Sequence, residues 1–215
     1  MNREIRRERP ADYRETENVT REAFWNHYSP GCTEHYILHV MRDCPAFVPE
    51  LDYVAVHEGR IVGNVVCVKT IIQGDDGKDY DVVSLGPISV LPEYQSKGIG
   101  GALIEATRRT ARELGFRAIV LYGDPDYYTR HGFVAAEQLG IRTADNMYAA
   151  AHCVCELYEN ALSGVTGRYI EDTIYEIDEA DAARFDATFP PKEKVSGTPS
   201  QQRFEELVGM RKNAF

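Results

Sequence analysis

Gln95-Ser96-Lys97-Gly98-Ile99-Gly100-Gly101 is the stretch of this sequence best suited to chemistry on an anion. A β-branched run ends just ahead of it at Ile88-Ser89-Val90, and a helical pattern begins within it at Ile99. Glycines at a strand-to-helix corner let the backbone approach a ligand closely. They also expose consecutive N–H groups at the positive end of the helix, which suits a phosphate or pyrophosphate. The same glycines would equally serve a tight corner that binds nothing. Two familiar phosphate patterns are absent. GxxxxGK[ST] does not occur, which argues against a P-loop nucleotidase. GxGxxG would need glycine at position 103, where the chain has Leu103. The segments before the turn also lack the parallel βαβ arrangement that this pattern requires.

Other reactive side chains make weaker patterns. His35 and His39 stand four apart on a predicted helix, a spacing that can hold a metal, but no third ligand accompanies them and the intervening residues do not make HExxH. No metal is expected. GxSxG is absent, so a serine-hydrolase elbow has no support. The five cysteines, Cys32, Cys44, Cys67, Cys153 and Cys155, are irregularly spaced without a CxxC, which favours neither a disulfide framework nor a zinc site. Cys153 and Cys155 would share one face of a strand as small buried residues.

Composition narrows the function classes. The chain has 215 residues, 43% of them apolar and 27% charged, values ordinary for a globular protein. Its net charge is 24 − 34 = −10. That disfavours a general nucleic-acid binder, which neutralises phosphates with basic residues, and disfavours docking on anionic lipid. A cationic acceptor is compatible with it. The charged start MNREIRRERP does not read as a secretory signal, and no apolar run approaches membrane-spanning length. A cytoplasmic protein is expected.

The elements that must position the glycine-rich turn follow from periodicity. Arg3 to Arg9 reads as a short strand. Pro10-Ala11-Asp12 opens a helix with Val19, Ala23 and Phe24 inward. Thr33 can cap a second helix whose apolar side is Tyr36, Ile37, Val40 and Met41. The period then changes to that of an antiparallel meander: strands at 51–57, 61–72 and 79–90, with turns at Glu58-Gly59-Arg60 and Gly74-Asp75-Asp76-Gly77. Gly86-Pro87 interrupts the third strand and predicts a bulge or lost pairing there. A helix runs from the turn to about Leu114, with Ile99, Leu103, Ala106, Thr110 and Leu114 inward and Gly115 closing it. Further strands are expected at 118–122, from Phe133, over 147–157 and over 169–177, and a last helix from about Ser200. The expected division is a domain at 1–160 and a C-terminal extension, 161–215, packed on it.

The segment GPISVLPEYQSKGIGGALI resembles the acyl-CoA-binding motif of the GNAT superfamily of N-acetyltransferases, [Q/R]-x-x-G-x-[G/A] after a V-x-P strand end. YYTRHGF similarly resembles that superfamily's helix with a tyrosine four residues before Gly-Phe. The resemblance covers residues 3 to 157. It implies an α/β (α+β) GNAT-like fold: a central mixed, mostly antiparallel sheet flanked by helices, with strands splayed around the cofactor. It further implies that the backbones of Ile88, Ser89 and Val90 bond the pantetheine arm of acetyl-CoA. Gln95, Ser96, Lys97, Gly98, Ile99, Gly100 and Gly101 would hold the pyrophosphate. Tyr128 would be the catalytic proton donor, with Tyr127 as the alternative.

The activity implied is transfer of an acetyl group from acetyl-CoA to a primary amine of a small molecule or peptide. A phenol near pKa ~10 can protonate a departing thiolate at neutral pH. Many relatives carry a carboxylate base on the strand before the turn, but 84–90 has none. Asp81, Asp124, Glu50, Asp52 and a chain of waters are the candidates. Two other readings compete: an acyl-CoA sensor of the same fold without turnover, and a nucleotide-binding protein of another class. A homodimer is compatible with the sequence.

Overall fold

A computed structural model of the chain describes residues 3–214. In chain order its elements are β1 (Glu4–Arg7), α1 (Tyr13–Phe24), α2 (Glu34–Met41), β2 (Tyr53–His57), β3 (Arg60–Gly74) and β4 (Asp79–Val90). Then come α3 (Ile99–Glu113), β5 (Ala118–Tyr122), α4 (Pro125–Tyr128), β6 (Val134–Ala135), β7 (Ile141–Arg142), β8 (Met147–Ala149) and β9 (His152–Glu156). The chain ends with β10 (Gly167–Ile170), α5 (Glu179–Asp186), α6 (Pro199–Gly209) and β11 (Arg211–Asn213). It divides into two compact units. The first comprises Met1–Cys67, Gly86–Thr107 and Thr173–Gln202, and the second Val68–Leu85, Arg108–Asp172 and Arg203–Phe215. Each unit therefore draws on residues from both sides of position 160.

In the first unit the strands follow the order β1-β2-β3-β4. β1 pairs antiparallel with β2, and β2 antiparallel with β3 across the two-residue turn Glu58-Gly59. Val54, Ile61, Val65, Leu38 and Leu103 are fully or almost fully buried, because the meander's β-branched residues and the helices' apolar stripes have no other place to leave water. Gly63 permits a close approach. A side-chain carbon there would lie 2.8 Å from the Ser89 carbonyl oxygen and 3.2 Å from Ile99 Cγ2, so glycine at 63 lets β4 and the start of α3 close on β3. A buried hydroxyl relay ties the same layers: Ser89 Oγ donates to Thr20 Oγ1, and Thr20 Oγ1 to Asn64 Oδ1, both at 3.1 Å.

Residues 178–201 are bound to α1 in this unit. The fully buried Arg21 donates from Nε to Asp186 at 2.6 Å, Trp25 Nε1 donates to the Glu193 carbonyl at 2.8 Å, and Lys192 pairs with Glu22 at 2.7 Å. A buried guanidinium without its carboxylate is strongly destabilising, so this contact carries real weight in the fold.

In the second unit the order is β3-β4-β5-β9-β6, with β10 antiparallel to the end of β3 and parallel to β7. A separate two-stranded ribbon joins β8 and β11. The sheet is thus mixed and mostly antiparallel, as the resemblance implies. Ile72, Val82, Val120, Val154, Ile141 and Tyr169 form its core. β5 pairs with β9 at all five of its residues, but its parallel register with β4 covers only Val83↔Ile119 and Ser84↔Val120. The pairing thus ends at Ser84, two residues before Gly86.

Several elements differ from expectation. The inward side of α2 is His35, Leu38 and Met41, whereas Tyr36, Ile37 and Val40 are only half-buried. Thr33 holds the N-cap position of α2, but its side chain makes no capping bond; the Glu34 carboxylate accepts from the Thr33 N–H instead. Leu114 is 45% exposed because α3 has already ended at Glu113. The strand expected over 147–157 is two strands broken at Ala150-Ala151, and that expected over 169–177 ends at Ile170. β4 runs as one strand through Gly86-Pro87 while its pairing with β5 ends at Ser84, and a register irregularity of the meander falls in β2, between Ala55 and Val56.

Candidate active site

The glycine-rich turn is built to expose backbone. Val90 ends β4, Pro92–Tyr94 makes one helical turn, and α3 starts at Ile99. Between them Ser96 (φ 57°) and Gly98 (φ 75°) both take left-handed conformations. Only glycine enters that region without steric cost, which accounts for Gly98. Gln95, Ser96, Lys97 and Gly98 are exposed, while Ile99 and Gly100 are buried and anchor the helix start. Side chains brace the turn from below. Gln95 Nε2 donates to the Val90 carbonyl at 3.1 Å, and Lys97 Nζ donates to the Glu93 carbonyl at 2.6 Å. Gln95 and Lys97 therefore shape the turn as well as border it. Ser89 turns its hydroxyl to Thr20, leaving Ile88 and Val90 half-buried on the other side of β4. The first unit thus holds the residues expected to bind the pantetheine arm and the pyrophosphate, 88–90 and 95–101.

Tyr128 lies in the second unit. Asp124 caps α4 by accepting from the Asp126 N–H at 2.9 Å, and Gly132 (φ 81°) closes the following turn. The Tyr128 ring packs edge-on against Phe133 (5.4 Å, 69°) and Tyr127 (5.0 Å, 87°). It also occupies the space where a side chain at Gly123 would go, so Gly123 is the residue that admits the ring beside Leu121. Tyr128 is half-buried and Tyr127 is 38% exposed. Burial raises the Tyr127 phenol above its usual value.

The four candidate bases fare differently. Asp124 is gripped by both arms of Arg203, Nε–Oδ2 at 2.9 Å and Nη2–Oδ1 at 3.1 Å, and these bonds lower its pKa. Asp81 is exposed and paired with Lys69 at 3.1 Å. Glu50 sits on a single helical turn before β2. Asp52 is buried and holds its proton: burial raises its pKa far above the carboxylate range, and a hydrogen bond with Glu8 adds to the shift. Glu8 is in turn held by Arg42, which also binds Glu17.

Asp52 makes a pH prediction. The unfolded chain ionises this carboxyl near 3.9, whereas the fold retains its proton to about 9. Over that window the unfolded state binds fewer protons, so stability falls as pH rises. Asp52→Asn keeps a donor toward Glu8 and does not titrate. The variant should match wild type near pH 4 and melt several degrees higher at pH 8. Parallel melting curves across that range would refute the assignment.

Sequence reasoning missed several contacts in the site region. Arg203 is 79 residues from Asp124 in the chain, and nothing in the local pattern pairs them. A stack at the end of β5 also escaped notice. Tyr122 lies against the buried His152 (4.9 Å, 25°), and Tyr169 lies behind it (5.3 Å). Burial lowers His152 to about 4, so it is neutral at ordinary pH. His35 lies 3.1 Å from Asp186, His39 bonds Glu17 at 2.8 Å, and no metal-holding group occurs among the described residues.

The fold is α/β, a mixed, mostly antiparallel sheet flanked by helices, with a glycine-rich turn at the start of α3. Residues 50–135 match the family model of the acetyltransferase (GNAT) domain. Two curated Escherichia coli K12 proteins are similar to the chain. The uncharacterized N-acetyltransferase YjhQ is 34% identical over 85 residues, 40% of this chain and 46% of that protein. The uncharacterized N-acetyltransferase YhbS is 32% identical over 110 residues, 51% of this chain and 64% of that protein. The chain thus spans about half to under two thirds of the curated relatives it matches. Two solved structures are similar over most of the chain. YhbS from Escherichia coli in complex with CoA superposes with a TM-score of 0.73 at 26% identity, covering 82% of this chain and 93% of that one. A GNAT family acetyltransferase from Brucella melitensis in complex with acetyl-CoA gives 0.64 at 28%, covering 81% and 98%. Over residues 50–135 the chain is similar to the GNAT acetyltransferase domain, and its fold is that of these GNAT-family structures.

Proposed function

We propose that the protein is an N-acetyltransferase that transfers an acetyl group from acetyl-CoA directly to a primary amine of a small molecule or peptide. The observation that carries this reading is the turn 95–101, with its left-handed Ser96 and Gly98 and the exposed backbone ahead of a 15-residue helix. N–H groups fixed in that way stabilise phosphate charge without reorganising. The residues fit the co-substrate: 95–101 would hold the pyrophosphate, and the backbones of Ile88, Ser89 and Val90 would bond the pantetheine arm. Both solved relatives named above carry CoA or acetyl-CoA, which supports the assignment.

In the reaction the neutral amine's lone pair attacks the thioester carbonyl carbon, and the C–S bond breaks as the amide forms. Tyr128 gives its phenolic proton to the departing sulfur, and the proton lost by the amine returns the pool to balance through solvent. With Asp124 and Asp81 paired to cations and Asp52 protonated, Glu50 and a water chain are the bases left by this arrangement. The same observation favours a second reading, an acyl-CoA sensor without turnover. Residues 161–215 belong, on this reading, with the acetyltransferase domain in one folded protein. A ligand that binds only the native state raises its melting temperature. Acetyl-CoA and CoA should each do so, and NAD and ATP should not. A larger shift with NAD or ATP would replace this reading with another nucleotide-binding function.

A further inference from the structure

Arg3 lies 94 residues from the turn in sequence yet sits directly on it. Its Nη1 donates to the Lys97 carbonyl at 2.9 Å. Nη1 and Nη2 lie 3.4 and 3.7 Å from the point where a side-chain carbon of Gly98 would be. Among the described residues, the bond to Lys97 is the one hydrogen bond this guanidinium makes. A guanidinium has five N–H donors in a rigid plane, so most of its fork is left over after that bond. The neighbouring cation differs: the Lys97 ammonium is committed to the Glu93 carbonyl. In a chain of net charge −10, a guanidinium fixed beside an exposed row of backbone N–H groups is a local reversal of sign.

We propose that Arg3 is a phosphate-binding residue of this site and that it holds the 3′-phosphate of CoA. The inference rests on the acyl-CoA reading above. Backbone N–H groups of the turn suffice for a pyrophosphate. CoA carries in addition a phosphomonoester on its ribose, with about two negative charges at neutral pH. An arginine fork matches a phosphate in a bidentate way, which a lysine point charge does not. The bond from Nη1 to the Lys97 carbonyl already holds the arginine in place, so little side-chain freedom is lost on binding. Arg3 would thus make the site prefer CoA over dephospho-CoA, two ligands that are identical apart from this phosphate.

The test is calorimetric titration of CoA and of dephospho-CoA into wild type, Arg3→Gln and Arg3→Lys at one fixed ionic strength, with unliganded melting temperatures as the check on folding. Wild type should favour CoA by about tenfold. Arg3→Gln should lose about tenfold for CoA and bind dephospho-CoA as wild type does, and Arg3→Lys should fall between. Unchanged CoA affinity in Arg3→Gln would overturn the inference and leave the acyl-CoA reading standing. An equal loss for both ligands would overturn it too, by placing Arg3 on the shared part of the molecule. A wild type that binds neither ligand would bring down the acyl-CoA reading itself.

Discussion

Gly98→Val removes CoA binding from a protein that still folds. Gly98 has φ 75°, a conformation that a β-branched residue enters only with strain. A valine there also thrusts carbon toward the Arg3 guanidinium, 3.4 Å from its first side-chain atom. The turn would relax to remove the strain, and the backbone of 96–100 would lose the conformation proposed to receive the pyrophosphate. The position itself is exposed, so the core below it, with Ile99 and Leu103 almost fully buried, is left intact. The expected result is a loss of CoA affinity of about 100-fold or more, equivalent to about 2.7 kcal/mol. The unliganded protein should melt cooperatively within a few degrees of wild type. A folded Gly98→Val protein with undiminished CoA affinity would remove the turn from the site.

Tyr128→Phe separates chemistry from binding. The substitution keeps the ring that fills the space at Gly123 and packs on Phe133, and it deletes only the hydroxyl. If the phenol protonates the leaving thiolate, kcat falls by about 100-fold or more, the usual contribution of a positioned acid, while the KM for acetyl-CoA hardly moves. Tyr127→Phe is the internal control. Its ring is more exposed, and the variant should retain near-normal turnover. A loss of less than about threefold in Tyr128→Phe would transfer the role to Tyr127 or to water.

The meander and the turn were legible in the sequence because their signals are local. β-branched alternation broken by Glu58-Gly59 and by Gly74 to Gly77 dictates hairpins whatever lies around them. The limits of β4, Asp79–Val90, and of β5, Ala118–Tyr122, agree with the sequence reading to the residue. The inward face of α2 was misread for a physical reason. Apolar spacing favoured Tyr36 and Ile37, but the helix buries His35 instead, because Asp186 and the rings of Phe185 and Phe189 give the imidazole partners. Asp186 and Phe185 come from α5, a helix without a strong apolar stripe of its own, and Phe189 from the segment just after it. Its polar sequence Glu-Ala-Asp-Ala-Ala-Arg-Phe-Asp reads as surface until Arg21 is seen to need a carboxylate.

The site divides along the same line. The turn's residues are contiguous and carry their own geometry. The grip of Arg203 on Asp124 and the seat of Arg3 on Lys97 each join residues more than 75 positions apart, and no local period announces them. The absence of a carboxylate from 84–90 was legible. The state of the other carboxylates was not, because Asp52 differs from Asp81 only in what surrounds it. One is buried against Glu8 and keeps its proton, and the other is exposed beside Lys69.

The central claim is that this chain breaks the thioester of acetyl-CoA and passes the acetyl group to an amine. It is tested most directly by following free CoA thiol on mixing the full chain with acetyl-CoA and a panel of primary amines that includes diamines, aromatic amines and peptides with free N-termini. The account predicts thiol release that depends on the amine, matched mole for mole by the acetylated amine, and lost in Gly98→Val and Tyr128→Phe. Saturable acetyl-CoA binding with no amine-dependent thiol release across the panel would contradict it and leave a sensor in its place.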